Sequence, residues 1–139
     1  MVKGLISGFL GLIVFVGCGG VSDIYKDLPN GYMYVDEAPL YKYIILKKAH
    51  TLIEQEENTI PCSVLNYTYN QNYLIAKIKF HYDMNYGTTG FKESKRLKEG
   101  QIYYYIIDTK KNIRYGAFDT YEKFAKKLKI LKVDLSLEK

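Results

Sequence analysis

The chain has 139 residues, with 20 lysines and arginines against 15 aspartates and glutamates, a formal net charge of +5 and 47% hydrophobic residues. That length and apolar share suit one domain with a core of its own. With only two histidines and two cysteines, a metal site built from several histidines is excluded and no disulfide framework is expected.

Residues 1–17 read as an export signal. Lys3 gives a short positive start, and Leu5 to Val16 is apolar apart from Ser7 and glycines. This run is shorter than the roughly 20 residues a spanning helix needs. Phe15-Val16-Gly17-Cys18 resembles a bacterial lipobox: small Gly17 precedes the cut, and Cys18 is the expected lipidation site, although Phe15 stands where leucine is usual. The alternatives are an ordinary cleaved signal or an uncleaved anchor with an incidental cysteine. If Cys18 carries lipid, Cys62 is left without an intramolecular partner. Cys62 is read as a small buried side chain rather than a reactive thiol.

Residues 18–27 are expected to be the lipidated cysteine and a short tether, and residues 28–139 a single globular domain. Leu28-Pro29-Asn30-Gly31 is a turn signal. Tyr32 to Val35 and Leu40 to Leu46 read as strands, separated by Asp36-Glu37-Ala38-Pro39. Glu54, Glu56 and Glu57 could pair for acid–base chemistry or hold a cation, but no further oxygen ligands follow at calcium-loop spacing. A solvated loop is the reading preferred there.

The centre of the expected sheet is a hairpin between Pro61 and Tyr82. With Gln71-Asn72 as the loop, Tyr69 faces Leu74, Tyr67 faces Ala76, Leu65 faces Ile78 and Ser63 faces Phe80. One face then collects the large apolar groups, and the other takes Asn66, Thr68, Lys77, Lys79 and His81, with Ile75 as the exception. A three-residue loop would mix the faces. This register predicts Leu65, Ile78 and Phe80 buried and Lys77 and Lys79 exposed.

Asp83 to Gly100 lacks periodicity and reads as a long mobile loop with a frayed helical turn at Glu93 to Lys98. Its Gly87-Thr88-Thr89-Gly90 lacks the phosphate-loop pattern. Ile102 to Asp108 is apolar on both faces, which marks a strand covered on both sides or centrally placed. The chain turns at Thr109 to Asn112 and returns as Ile113 to Ala117, with Gly116 making room for Tyr105. Asp119-Thr120-Tyr121-Glu122 has capping-box form, and Tyr121, Phe124, Ala125, Leu128 and Leu131 recur at helical spacing. That helix is expected to cover the apolar sheet face with its lysines in solvent; the alternative is a basic helix lying on a bilayer. Val133 to Lys139 is a frayed tail or a short edge strand. The fold class is therefore α+β: a mainly antiparallel sheet of about five or six strands in two hairpins, with one C-terminal amphipathic helix packed on a face.

The chain lacks the nucleophile-elbow, zincin, paired Cys-x-x-Cys and dinucleotide signatures. His81, among lysines, is read as exposed rather than catalytic. Fifteen tyrosines without a tryptophan suit interfaces and sugar or peptide recognition, or reflect a biased composition in a β-rich fold. From Leu28 to Leu128 the chain resembles a family of small bacterial lipoproteins carrying a domain of unknown function. The matching pieces are Leu28-Pro29-Asn30-Gly31-Tyr32, Ile60-Pro61, Val64 to Lys77 with its Tyr73-Leu74-Ile75-Ala76-Lys77 core, Tyr105-Ile106-Ile107-Asp108, and Tyr115-Gly116. Tyr69 stands where a tryptophan is common in that family, and Ala117 where a proline is. The resemblance implies a compact β-rich domain and no functional residues. The expected function is a membrane-anchored envelope lipoprotein, outside the cytoplasm, acting as a binding or structural module. An envelope hydrolase using acidic residues and a small immunity- or inhibitor-like lipoprotein are the alternatives. No catalytic residue, cofactor or metal is expected. The partners are the membrane, through the lipid, and an envelope protein, peptide or glycan, but no nucleic acid.

Overall fold

The computed structural model describes residues 24–85 and 95–137. Seven strands form two antiparallel sheets. β1 (Ile24–Asp27), β2 (Tyr32–Ala38) and β3 (Tyr41–Leu46) make the first, in that order. β4 (Val64–Tyr69), β5 (Tyr73–Lys79), β6 (Ile102–Asp108) and β7 (Ile113–Phe118) make the second, also in chain order. A short helix, α1 (Leu52–Glu57), follows β3, and α2 (Tyr121–Leu131) follows β7. The expected α+β class holds, with one more strand and one more helix than the sequence suggested. Ile24–Asp27, expected to be tether, is β1 and pairs along β2. The polar run after Ile53, expected to be a solvated loop, is largely α1. Thr51 caps it by accepting from the Glu54 amide at 3.0 Å, and Glu54 accepts in turn from the His50 amide at 2.7 Å.

The hairpin turn works without Asn-Gly because the Asn70 side chain replaces a backbone turn. Its Oδ1 accepts from the amides of Asn72 and Tyr73 at 2.9 and 2.8 Å. The register is as expected from Tyr69↔Leu74 through Tyr67↔Ala76 to Asn66↔Lys77, and then slips, so that Val64 and not Leu65 faces Ile78. Leu65 is the extra residue of a β-bulge. Two expectations fail with it: Leu65 is exposed, and Ser63 exchanges backbone hydrogen bonds with Lys79 rather than facing Phe80. Ile78 and Phe80 are buried as expected, Lys79 is exposed, and Lys77 is half-buried. The bulge turns the upstream chain toward the first sheet, where Ile60 and Ile44 exchange two backbone hydrogen bonds.

The second sheet is covered on both faces, which explains why β6 is apolar throughout. One face carries Leu74, Ala76, Ile78, Tyr103, Tyr105 and Ile107 and packs on Tyr32, Ile44 and Leu46 of the first sheet. The other presents Ile75 and Ile106 to Phe124 and Leu128 of α2 and to Leu137 of the tail. This corrects the expected assembly: the first sheet, and not the C-terminal helix, covers the broad apolar face. The helix lies over the face expected to be polar, where Ile75 was the exception. Tyr121, placed in the buried stripe by its spacing, is half exposed. Thr120 rather than Asp119 is the helix cap, accepting from the Lys123 amide, while Asp119 pairs with the Lys123 ammonium at 2.7 Å. The described part of the tail after Lys132 forms no strand.

One end of the sandwich is tied by side chains. Asn30, held at φ 61° in the turn after β1, donates to the Gln71 carbonyl and to Thr109 Oγ1 at 2.9 and 2.8 Å. The Tyr32 hydroxyl lies 3.2 Å from Oδ1 of both Asn58 and Asn112. Arg114 donates to the Thr59 carbonyl.

Candidate functional site

Tyrosines gather where β1 and β2 of the first sheet approach β4 of the second. β2 brings Tyr34, paired across the sheet with Ile44 and with Lys26 of β1. Period-two alternation brings Tyr67 and Tyr69 of β4 to the same interior side, because the bulge lies upstream of both. The rings of Tyr34 and Tyr67 are 4.6 Å apart, and those of Tyr67 and Tyr69 are 6.5 Å apart and nearly parallel, 13° between planes. The Lys26 ammonium lies 6.0 Å and 5.4 Å from the Tyr67 and Tyr69 ring centres, within cation–π range. The result is an aromatic ladder at a sandwich edge, half-buried and overlaid by a cation.

Two of its phenols, Tyr34 and Tyr67, hold their protons more tightly than free tyrosine. Burial, and then the Asp36 carboxylate, push the Tyr34 hydroxyl up to about 12; burial also raises Tyr67, with Lys26 pulling the other way. The Tyr34 hydroxyl is within 3.5 Å of Asp36, and Asp36 lies 3.7 Å from the Lys42 ammonium. Lys26, in contrast, has no ion-pair partner among the described residues. Such an edge offers flat apolar surface, hydroxyl donors and one available positive charge. These are the groups that grip a sugar ring or an extended acidic chain.

Elsewhere, a concavity of about 460 Å³ opens between the segment before β6 and the start of α2. Arg96, Lys98 and Lys123 line it with Gln101 and Tyr103, and Asp119, the one carboxylate among its described lining residues, is ion-paired to Lys123. Among the described residues it does not gather the two carboxylates that acid–base hydrolysis would need.

The other residues singled out by the sequence take structural places. Glu54 is engaged in capping α1, and Glu57 is exposed. His81 lies 2.9 Å from Glu99, which also accepts from the Tyr82 amide at 2.7 Å; that amide, ahead of His81, holds the Glu99 carboxyl below its usual range. Cys62 is buried at 1% exposure, and burial pushes its thiol up to about 12, so it is not a poised nucleophile. Among the described residues, no three His, Cys, Asp or Glu side chains gather as metal ligands, and no helix is long and apolar enough to cross a membrane. Cys18, the Gly87–Gly90 stretch and the first two residues of the expected helical turn from Glu93 to Lys98 lie outside the described residues, and residues 95–98 are not helical. Lys26 was not legible in advance, because its segment reads as tether. The only advance signal for the ladder was the tyrosines alternating at positions 67 and 69.

No curated protein and no solved structure matches the chain. A family model does match, over residues 29–139, and the chain belongs to that family, a protein of unknown function (DUF3997).

Proposed function

We propose that this DUF3997 chain is a cell-envelope lipoprotein, held to the membrane by lipid on Cys18, that works as a non-catalytic binding module. Its partner contacts the ladder of Tyr34, Tyr67 and Tyr69 beneath Lys26. The observation that carries this reading is the ladder itself: three rings in sequence at an open edge, with a cation that no described carboxylate neutralises. Stacking and charge together suit the glycopeptide material of an envelope, which presents sugar rings and free carboxylates side by side. The signal-like residues 1–17 and the lipobox-like run ending at Cys18 support the location.

The test is calorimetric titration of the detergent-solubilised full-length protein with soluble cell-wall glycopeptide fragments. Saturable binding is expected, weakened about tenfold by Tyr67→Ala or by Lys26→Ala, since a cation–π or stacking contact is worth roughly 1–2 kcal/mol. Absence of binding, or binding indifferent to both substitutions, would remove the ladder as the recognition site.

A further inference from the structure

The end of the first sheet at which the chain enters carries large apolar side chains that the fold leaves outside. β1 begins at Ile24, opposite Asp36, and runs away from the β2–β3 turn at Pro39 and Leu40. Ile24 is 53% exposed, Tyr25 54% and Leu40 48%. Tyr41 stands beside Leu40, its ring edge-on to Tyr43 at 5.3 Å. A single exposed leucine would need no explanation, but several large apolar groups at one tip do. The nearby carboxylates are already engaged: Tyr25 donates to Glu37 at 3.1 Å, and Lys42 faces Asp36. Asp36 thereby has a counter-ion, while Glu37 keeps its charge, which has to stay in water at headgroup level as the apolar side chains approach lipid.

Cys18 precedes Ile24 by six residues, so the two are at most about 20 Å apart. β1 begins at the same end of the first sheet as the β2–β3 turn. We infer that this tip docks on the lipid surface that holds the Cys18 anchor, with Leu40 and Ile24 at the acyl boundary and Tyr25 and Tyr41 at headgroup level, where tyrosine rings are favoured. The inference rests on the lipid-anchor reading. A few apolar side chains do not hold a protein on a membrane unaided; the lipid supplies attachment, and the tip sets orientation. The strands of the first sheet then rise from the surface, and α1, at the opposite end of that sheet, points away from it. The tyrosine ladder is left facing sideways, open to material lying along the membrane.

The chain contains no tryptophan, so Leu40→Trp introduces a single fluorescent reporter at the tip, and Leu52→Trp puts the same reporter at the opposite end. Both are made in the full-length protein, recovered from membranes and reconstituted into phosphatidylglycerol vesicles with and without brominated acyl chains. Mass spectrometry of the same samples reports whether Cys18 carries lipid. The reporter at position 40 is expected to emit to the blue and to lose roughly half its intensity to bromine, while the one at position 52 stays red-shifted and unquenched. A lipidated protein whose position-40 reporter remains in water overturns tip docking and leaves the anchor intact. Equal quenching at both ends overturns it too. A Cys18 without lipid overturns both the anchor and the docking.

Discussion

The two faces of the second sheet are buried by unlike partners. The face of Leu74, Ile78 and Tyr105 meets another sheet and forms a wide core to which Tyr32, Tyr34 and Tyr67 contribute. The face of Ile75 and Ile106 meets one helix and a piece of tail, a narrow seam whose fully buried members are Ile75, Ile106 and Phe124, with Leu128 and Leu137 nearly so. The wide core combines hydrocarbon with the phenols of buried Tyr32, Tyr103 and Tyr105, and Cys62 lies buried beside the first sheet. The buried members of the seam are hydrocarbon alone. The two regions should therefore fail under different stresses.

Alkali separates them most strongly. Burial raises Tyr32, brings Tyr34 and Tyr43 up to about 12 and lifts the Cys62 thiol to about 12, all on the first-sheet side. Each of these groups is neutral when protonated, and its proton is held more tightly folded than unfolded. The stability they contribute is present in full below the unfolded values, near 9 for cysteine and 10 for tyrosine, and is lost as pH rises through the folded ones. The melting temperature should hold up to about pH 9 and then fall steeply toward pH 12. Cys62→Ala should move the onset upward. Phe124→Ala should lower the whole curve without moving its onset. A flat profile to pH 12 would mean that these phenols and this thiol are not buried as described.

Truncation sharpens the same contrast at neutral pH. Ile78→Ala in the wide core should cost about 2–5 kcal/mol, and Phe124→Ala in the seam about 3–5 kcal/mol. Both side chains are fully buried. Phe124 also loses its stacking on Tyr104, with rings 5.1 Å apart. Urea unfolding measures both. If Phe124→Ala costs under about 1 kcal/mol, the helix is peripheral and the second face has another cover.

Much of this contrast could be read from the chain, and what could not has a physical cause. β6 announced two covers because Ile102 to Asp108 is apolar on both faces, and Ile75 announced the second cover as the misfit on a polar face. The sequence could not say which cover went where, since the stripe of Phe124 and Leu128 fits either face equally well. β1 was illegible because all four of its residues are exposed, so no alternation marks them. α1 was obscured for the same reason: it is six residues long and buries none of them. With β1 unseen, Lys26 could not be placed over Tyr67 and Tyr69. The ladder was visible only in part, as the tyrosines alternating at positions 67 and 69.

The smallest expected effect is the most discriminating about register. An unbroken hairpin would put Leu65 in the core opposite Ile78, and Leu65→Ala would then cost the 2–5 kcal/mol of an ordinary core truncation, on the order of Ile78→Ala. The bulge puts Leu65 outside at 53% exposure and Val64 inside at 3%. Leu65→Ala should accordingly change stability by less than about 0.5 kcal/mol, as at an ordinary surface position. Val64→Ala, the smaller truncation, should cost about 1.5 kcal/mol or more, from roughly 0.8 for each buried methyl-sized group plus the cavity left behind. The inverted ranking is what matters, because a continuous two-residue alternation that keeps Tyr67 and Tyr69 inward would put Val64 outside. The bulge lies between Ile60, which pairs with Ile44 of the first sheet, and Tyr67, which reaches Tyr34. Urea unfolding of the two truncations decides the register, and a costly Leu65→Ala beside a neutral Val64→Ala would return the hairpin to its unbroken form.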